Sequence, residues 1–209
     1  MKSQTPIRLL LVDDHFFIRM GLAGSLNQEE DIQVIAEAAS GTEAVAAYMK
    51  HQPDVTLMDG RLPDFHGVEA TMKIRSSHPK APIILLSIDE TEEDIHRALA
   101  AGVRSYLPKS IERDELLLAI RTVYGGGTYF PAGIAQRIAE RSKRTALSDR
   151  ELEVLRQIVL GQANKQIAET LGIAEITVKV HVSHILEKLG VPDRTRASTL
   201  AIERGIVKL

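Results

Sequence analysis

Short apolar runs alternating with helix-period segments fill the first 123 residues, and that alternation leaves few folds open. The runs are Ile7–Val12, Ile32–Ala38, Val55–Asp59, Pro82–Ser87 and the short Ser105–Leu107, which Pro108 closes by withholding a ladder donor. Helical patterns lie between them near 15–26, 41–51, 67–77 and 91–101, and a fifth follows at 111–123. Leu9-Leu10-Leu11-Val12 and Ile83-Ile84-Leu85-Leu86 are apolar without interruption, which suits strands buried on both faces. Five strands alternating with five helices predict a parallel sheet with helices on each side.

The architecture expected is α/β, a flavodoxin-like doubly wound five-stranded parallel sheet, whose chemistry collects at the carboxyl ends of the strands. Gly125-Gly126-Gly127 then breaks the pattern and reads as a hinge. No Lys-Ser/Thr pair follows it, so it is not a phosphate-binding loop. A basic amphipathic linker helix is expected from Pro131 to Arg144, with Ile134 and Ile138 on one face. From Ser148 onward strand patterns cease, and helices are expected at 148–160, 164–171, 175–189 and 194–204. Gly161, Gly172, Gly190 and Gly205 stand just past their ends. The reading is therefore residues 6–123 as one domain, 124–144 as hinge and linker, and 145–209 as a small all-α four-helix domain. A length of 209 residues accommodates both, at roughly 100–200 residues per domain.

Charge separates the ends of the chain. Residues 1–128 carry 13 Lys/Arg against 19 Asp/Glu, 129–144 carry 4 against 1, and 145–209 carry 9 against 8. An acidic front suits a cation, or a phosphate handled through one. A near-neutral to basic rear suits DNA if its charges share a face. The absence of cysteine excludes disulfides, thiolate metal sites and a cysteine nucleophile. At 4% aromatics and no Trp, base stacking on an aromatic platform is a poor principal activity. No apolar run approaches the ~20 residues of a membrane span, and Met1 leads directly into a strand pattern without a signal peptide, so a cytoplasmic protein without membrane association is expected.

Asp13 and Asp14 end the first strand and Asp59 the third, so the doubly wound topology brings three carboxylates to one crevice. Their mutual repulsion calls for a divalent cation, and hard oxygen donors suit Mg2+. Ser87 ends the fourth strand and Lys109 follows the fifth; a hydroxyl and an ammonium beside a carboxylate–metal cluster make a phosphoryl site. Asp59 is the candidate nucleophile, forming an aspartyl phosphate. Taken singly, each of these residues has an ordinary reading as a helix cap, a strand end or a surface lysine.

The set resembles the receiver domain of two-component response regulators. The resemblance implies that Asp59 accepts a phosphoryl group from a sensor histidine kinase. It further implies that Asp14, Asp59 and the main-chain carbonyl of Arg61 hold Mg2+ with Asp13 in support, that Lys109 pairs with the phosphate and Ser87 hydrogen-bonds it, and that Tyr106 is the switch aromatic. Gly60, Leu62, Ile88 and Ser110 depart from the usual receiver pattern, and Gly60 and Ile88 bear on the lifetime of the phosphoryl group.

In the rear, a short helix from Asn164, a glycine turn and a longer helix at 175–189 have the layout of a helix-turn-helix. Ile176, Val178, Val182, Ile185, Leu186 and Leu189 are expected to face the core. Lys179, Ser183, His184 and Lys188 face outward, flanked by Val180 and His181. Leu147–Leu155, Asn164–Ala168 and Thr177–Val191 closely resemble the LuxR-type DNA-binding domain, and with the receiver in front the chain resembles a NarL/FixJ-type response regulator. That resemblance implies base contacts from Lys179, Val180 and Ser183. Phosphate-side contacts are expected from Thr177, Asn164 and His184, with Lys165 and Lys188 also meeting phosphate if they touch DNA. The last helix is implied as the surface of a homodimer formed on phosphorylation. The expected function is a transcriptional regulator acting on double-stranded promoter DNA, with RNA polymerase a further partner and no enzymatic activity beyond its own phosphorylation and dephosphorylation. An aspartate-nucleophile hydrolase would want a second acid two residues after Asp59, where Arg61 stands, and the helix-turn-helix argues against a phosphorelay adaptor. A ligand-sensing LuxR-type regulator would share the rear without the acidic crevice.

Overall fold

The computed structural model describes residues 5–88, 91–142 and 146–207. Its contacts divide the chain into two compact units, the first running to Ala135 apart from Thr91–Glu93. The first unit contains β1 (Ile7–Val12), α1 (Phe16–Leu26), β2 (Ile32–Ala38), α2 (Gly41–His51), β3 (Val55–Asp59), α3 (Gly67–Ser77), β4 (Ile83–Ser87), α4 (Glu92–Ala101), β5 (Ser105–Pro108) and α5 (Arg113–Tyr124). The strands form one parallel sheet in the order β2-β1-β3-β4-β5. The order reverses beside β1, so the carboxyl ends of β1 and β3 open on one crevice.

Alternation decides which side chains meet which helices. Leu9, Leu11, Leu57, Ile84, Leu86 and Leu107 point to one face and pack with Ala23 and Leu26 of α1 and with Leu116, Leu117, Ile120 and Val123 of α5. Leu10, Val12 and Met58, on the other face, are fully buried as well. Register is fixed at the carboxyl edge of the sheet: Asp59 pairs with Leu86, and Ser87 with Pro108. Pro108 is thus the last paired residue of β5 rather than a stop before it, and the backbone N–H of Lys109 donates to Ser87 O at 2.9 Å. β4 starts one residue later than expected, at Ile83.

Gly125, Gly126 and Gly127 donate their N–H groups to Arg121, Val123 and Thr122, closing α5 with Gly126 at φ +87°. Tyr129 then bridges to Ser105 and its hydroxyl donates to Glu115 at 2.7 Å. The linker helix α6 (Ala132–Ser142) follows, and the division between units falls inside it. The predicted end of that helix at Arg144 lies outside the described residues.

The second unit contains α7 (Asp149–Val159), α8 (Asn164–Leu171), α9 (Glu175–Leu189) and α10 (Arg194–Glu203). Ser148 caps α7 reciprocally with Glu151, and Asp193 caps α10 by accepting from Arg196 N at 2.9 Å. The α8–α9 turn passes through Gly172 in the left-handed region, φ +63°, and α9 ends on Gly190 at φ +67°. Val154, Leu155, Ile158, Ile167, Val178, Ile185, Ala197 and Ala201 form the core. Ile176 does not join it. It is 68% exposed, because the register that buries Val178 and Ile185 turns Ile176 to the opposite side of α9.

Candidate functional site

The carboxyl ends of the strands assemble the predicted acidic crevice. Asp13 directly follows β1 inside the protein, 1% exposed, and its Oδ1 accepts the N–H of His15 at 2.8 Å, which turns the chain into α1. Asp59 is 2% exposed, and the Arg61 N–H donates to its Oδ1 at 3.2 Å, holding the following loop beside the carboxylate. The Lys109 ammonium spans the two, donating to Asp13 Oδ2 at 2.8 Å and Asp59 Oδ2 at 2.7 Å. Burial, reinforced by the Asp13 charge, pushes the Asp59 carboxyl above its ordinary value and outweighs the Lys109 contact. Burial works against the Lys109 charge too, but the bonds to Asp13 and Asp59 prevail and its pKa is raised.

Asp14 stands at the rim, paired with His15 Nδ1 at 2.8 Å. Asp13, Asp14, His15 and Asp59 each offer a ligand atom, all within 4.8 Å of one another. Three carboxylates so placed fit a hard divalent cation. His15, directly after Asp13-Asp14 in the chain, joins this cluster. Ser87 is buried beside Gly60, where an added Cβ would lie 3.0 Å from Ser87 Oγ. Tyr106 is 1% exposed, packed inside on β5. Ile88 is 67% exposed.

Asp64 carries no sequence signal of its role. Its carboxylate accepts from the N–H groups of Gly41 and Thr42 and from the Thr42 hydroxyl, pinning the loop after Asp59 to the start of α2. Burial opposes its charge, but these bonds hold its carboxyl far below the usual range.

On the second unit, α9 presents Lys179, Val180, Ser183 and His184 outward. Lys179 forms an exposed pair with Glu175 at 3.2 Å. Thr177 is half-buried, and Lys165 is exposed on α8. Asn164 opens α8 and accepts from Arg194 at 3.4 Å, while Arg194 also donates to Gln162 O. Lys188 differs from the others. Its ammonium donates to the buried Glu151 carboxylate at 2.7 Å, so this cation is committed inward, and His184 Nδ1 lies 3.9 Å from the same group. Lys188 and Ser148 together hold the Glu151 carboxyl low against the effect of burial.

No helix among the described residues is long and apolar enough to cross a membrane. Residues 9–121 match the response regulator receiver domain and residues 145–201 the bacterial regulatory proteins of the luxR family. The response regulator protein VraR of Staphylococcus epidermidis is 36% identical over 207 residues, covering 97% of this chain and 99% of that one. A LuxR-family two-component response regulator from Aurantimonas sp. SI85-9A1 superimposes with TM-score 0.63 at 34% identity, over 66% of this chain and 99% of that one. The RcsB response regulator of Salmonella typhimurium shares the fold, with TM-score 0.78 at 22% identity, over 94% of this chain and 99% of that one.

Proposed function

The chain belongs to the response regulators that join a receiver to a LuxR-family DNA-binding domain, and from that premise we propose that Asp59 accepts a phosphoryl group from a histidine kinase and so controls promoter binding by residues 145–209. The observation that carries this reading is the Lys109 ammonium set between the buried Asp13 and Asp59 carboxylates, with Asp14 at the rim. An Asp59 oxygen attacks phosphorus as the bond to the kinase imidazole breaks, and the electron pair leaves with that nitrogen. Asp13, Asp14, Asp59 and the Arg61 carbonyl would hold Mg2+, which when bound neutralises charge on the phosphoryl oxygens. Lys109 then pairs with the phosphate, Ser87 donates its hydroxyl to it, and Tyr106 responds as the switch side chain. Catalysis by the chain is confined to forming and hydrolysing its own aspartyl phosphate.

On DNA, Lys179, Val180 and Ser183 meet base edges, while Thr177, Asn164, Lys165 and His184 meet phosphates. Lys188 supports the recognition helix through Glu151. Pairing through α10 would set two recognition helices about 34 Å apart on an inverted repeat. The division into residues 6–123, 124–144 and 145–209, a cytoplasmic location, and contact with RNA polymerase at the promoter complete the reading. The test is incubation with a small phosphodonor and Mg2+, with mass mapping of the modified residue. Modification is expected on Asp59 alone and is lost in Asp59→Asn; phosphorylation that persists in that variant overturns the assignment.

A further inference from the structure

The outermost line of α9 is apolar where it starts. Ile176, Val180, Ser183 and Glu187, at i, i+4, i+7 and i+11, all lie exposed on the face opposite the buried Val178 and Ile185. Ile176 is 68% exposed and Val180 47%. Two branched aliphatic side chains one turn apart, at the end of the helix that enters a major groove, stand outside the packed core of the domain. Lys179 and His184 sit on the flanks of this line, Lys179 already paired with Glu175 and His184 beside Glu151. Glu187 stands about 16 Å further along the axis, at the end that leaves the groove. Neither Ile176 nor Val180 carries a donor or acceptor, so neither can read guanine or adenine by hydrogen bonding. The major-groove feature that an aliphatic group can recognise is the thymine C5-methyl.

We propose that Ile176 is a specificity-determining residue that packs on a thymine methyl, with Val180 on a second, so that the leading turn of α9 selects thymine by apolar contact. This rests on the DNA-binding reading above.

Replacing thymine with deoxyuracil removes the methyl and leaves every hydrogen-bonding group of the base unchanged. Sites are first selected from random duplexes by the full-length, phosphodonor-treated chain, and each thymine is then replaced singly. In each half-site the thymine under Val180 and, separately, the thymine under Ile176 are each expected to lose about fourfold in affinity as uracil, the worth of one buried methyl. In Ile176→Ala the penalty at the Ile176 position disappears while the penalty at the Val180 position remains, and Ile176→Val restores most of it. Uracil tolerated at every position, or a penalty unchanged in Ile176→Ala, overturns the methyl contact while leaving DNA binding intact. Failure to select any sequence overturns both readings.

Discussion

The Lys109 ammonium lies 2.7 Å from Asp59 Oδ2, inside the buried crevice. Lys109 therefore serves as the internal counter-ion of the resting crevice, since it also neutralises Asp13 at 2.8 Å. In Lys109→Met the two carboxylates, each no more than 3% exposed as side chains, lose their cation. Without metal the variant is expected to lose about 3 kcal/mol, the cost of stripping one partner from a buried pair. Added Mg2+ should then raise its unfolding midpoint more than it raises that of the parent. Equal Mg2+-induced shifts in the two proteins would count against the counter-ion role.

Asp59 gives the opposite sign. Burial lifts its carboxyl above the ordinary 3.8, so the ionised form is favoured less in the folded than in the unfolded chain. The charge therefore costs stability at neutral pH, and the cost fades as pH falls through the raised folded value toward 3.8. Asp59→Asn keeps an acceptor for Lys109 and removes the charge. In metal-free buffer it should unfold at higher temperature than the parent at pH 7, the gap closing as the buffer is acidified. A lower midpoint for the variant at pH 7 would show that the Lys109 contact outweighs burial.

Much of this was legible in the chain because it depends on local pattern. Short apolar runs alternating with helix-period segments place all five strands, and the topology alone then gathers Asp13, Asp59 and Lys109. What the sequence conceals depends on tertiary partners. Nothing in Gly125–Gly127 announces that Tyr129, two residues on, bridges to Ser105. Ile176 reads as core only when the apolar residues of α9 are counted together, since the helical register that buries Val178 and Ile185 sets it on the opposite face. Lys188 reads as a surface cation because its counter-ion, Glu151, is 37 residues away and looks like a capping-box acid. Asp64 is hidden in the same way, since its partners are on the preceding helix.

Two lysines of the second unit should separate cleanly. Lys188→Met strands the buried Glu151 and is expected to destabilise the unit by about 1–3 kcal/mol. Glu151 has its carboxyl held below the ordinary 4.5, so its contribution is present above that pH and is lost as pH falls through the folded value. The destabilisation by Lys188→Met should shrink over the same acid range. Its DNA binding should keep the parent's salt dependence once compared at a temperature where both are folded. Lys165→Ala should do the reverse: unchanged unfolding, and a salt slope reduced by about one. A reduced slope in Lys188→Met would return that residue to the phosphate contacts.

The position of Asp59 also depends on a glycine that carries no chemistry. Gly67 opens α3 directly under the Asp59 backbone, donating its N–H to Gly60 O at 3.0 Å. A Cβ built there would fall 2.0 Å from the Asp59 carbonyl oxygen, a backbone atom that cannot swing aside as a side chain would. Gly67 is not among the positive-φ glycines, so the expected cost of Gly67→Ala is steric displacement rather than backbone strain. Either the first turn of α3 or the end of β3 must move, at about 1–3 kcal/mol. Movement of β3 carries Asp59 away from Lys109, so phosphorylation by a small donor should slow together with the fall in the unfolding midpoint. Gly21, in α1 with nothing within 4 Å of its added Cβ, supplies the control. Gly21→Ala should instead stabilise by about 0.5–1 kcal/mol, through the lower backbone entropy of the unfolded chain, and leave the phosphorylation rate alone. A Gly67→Ala protein with the parent's midpoint and rate would mean that Asp59 is not positioned by this contact.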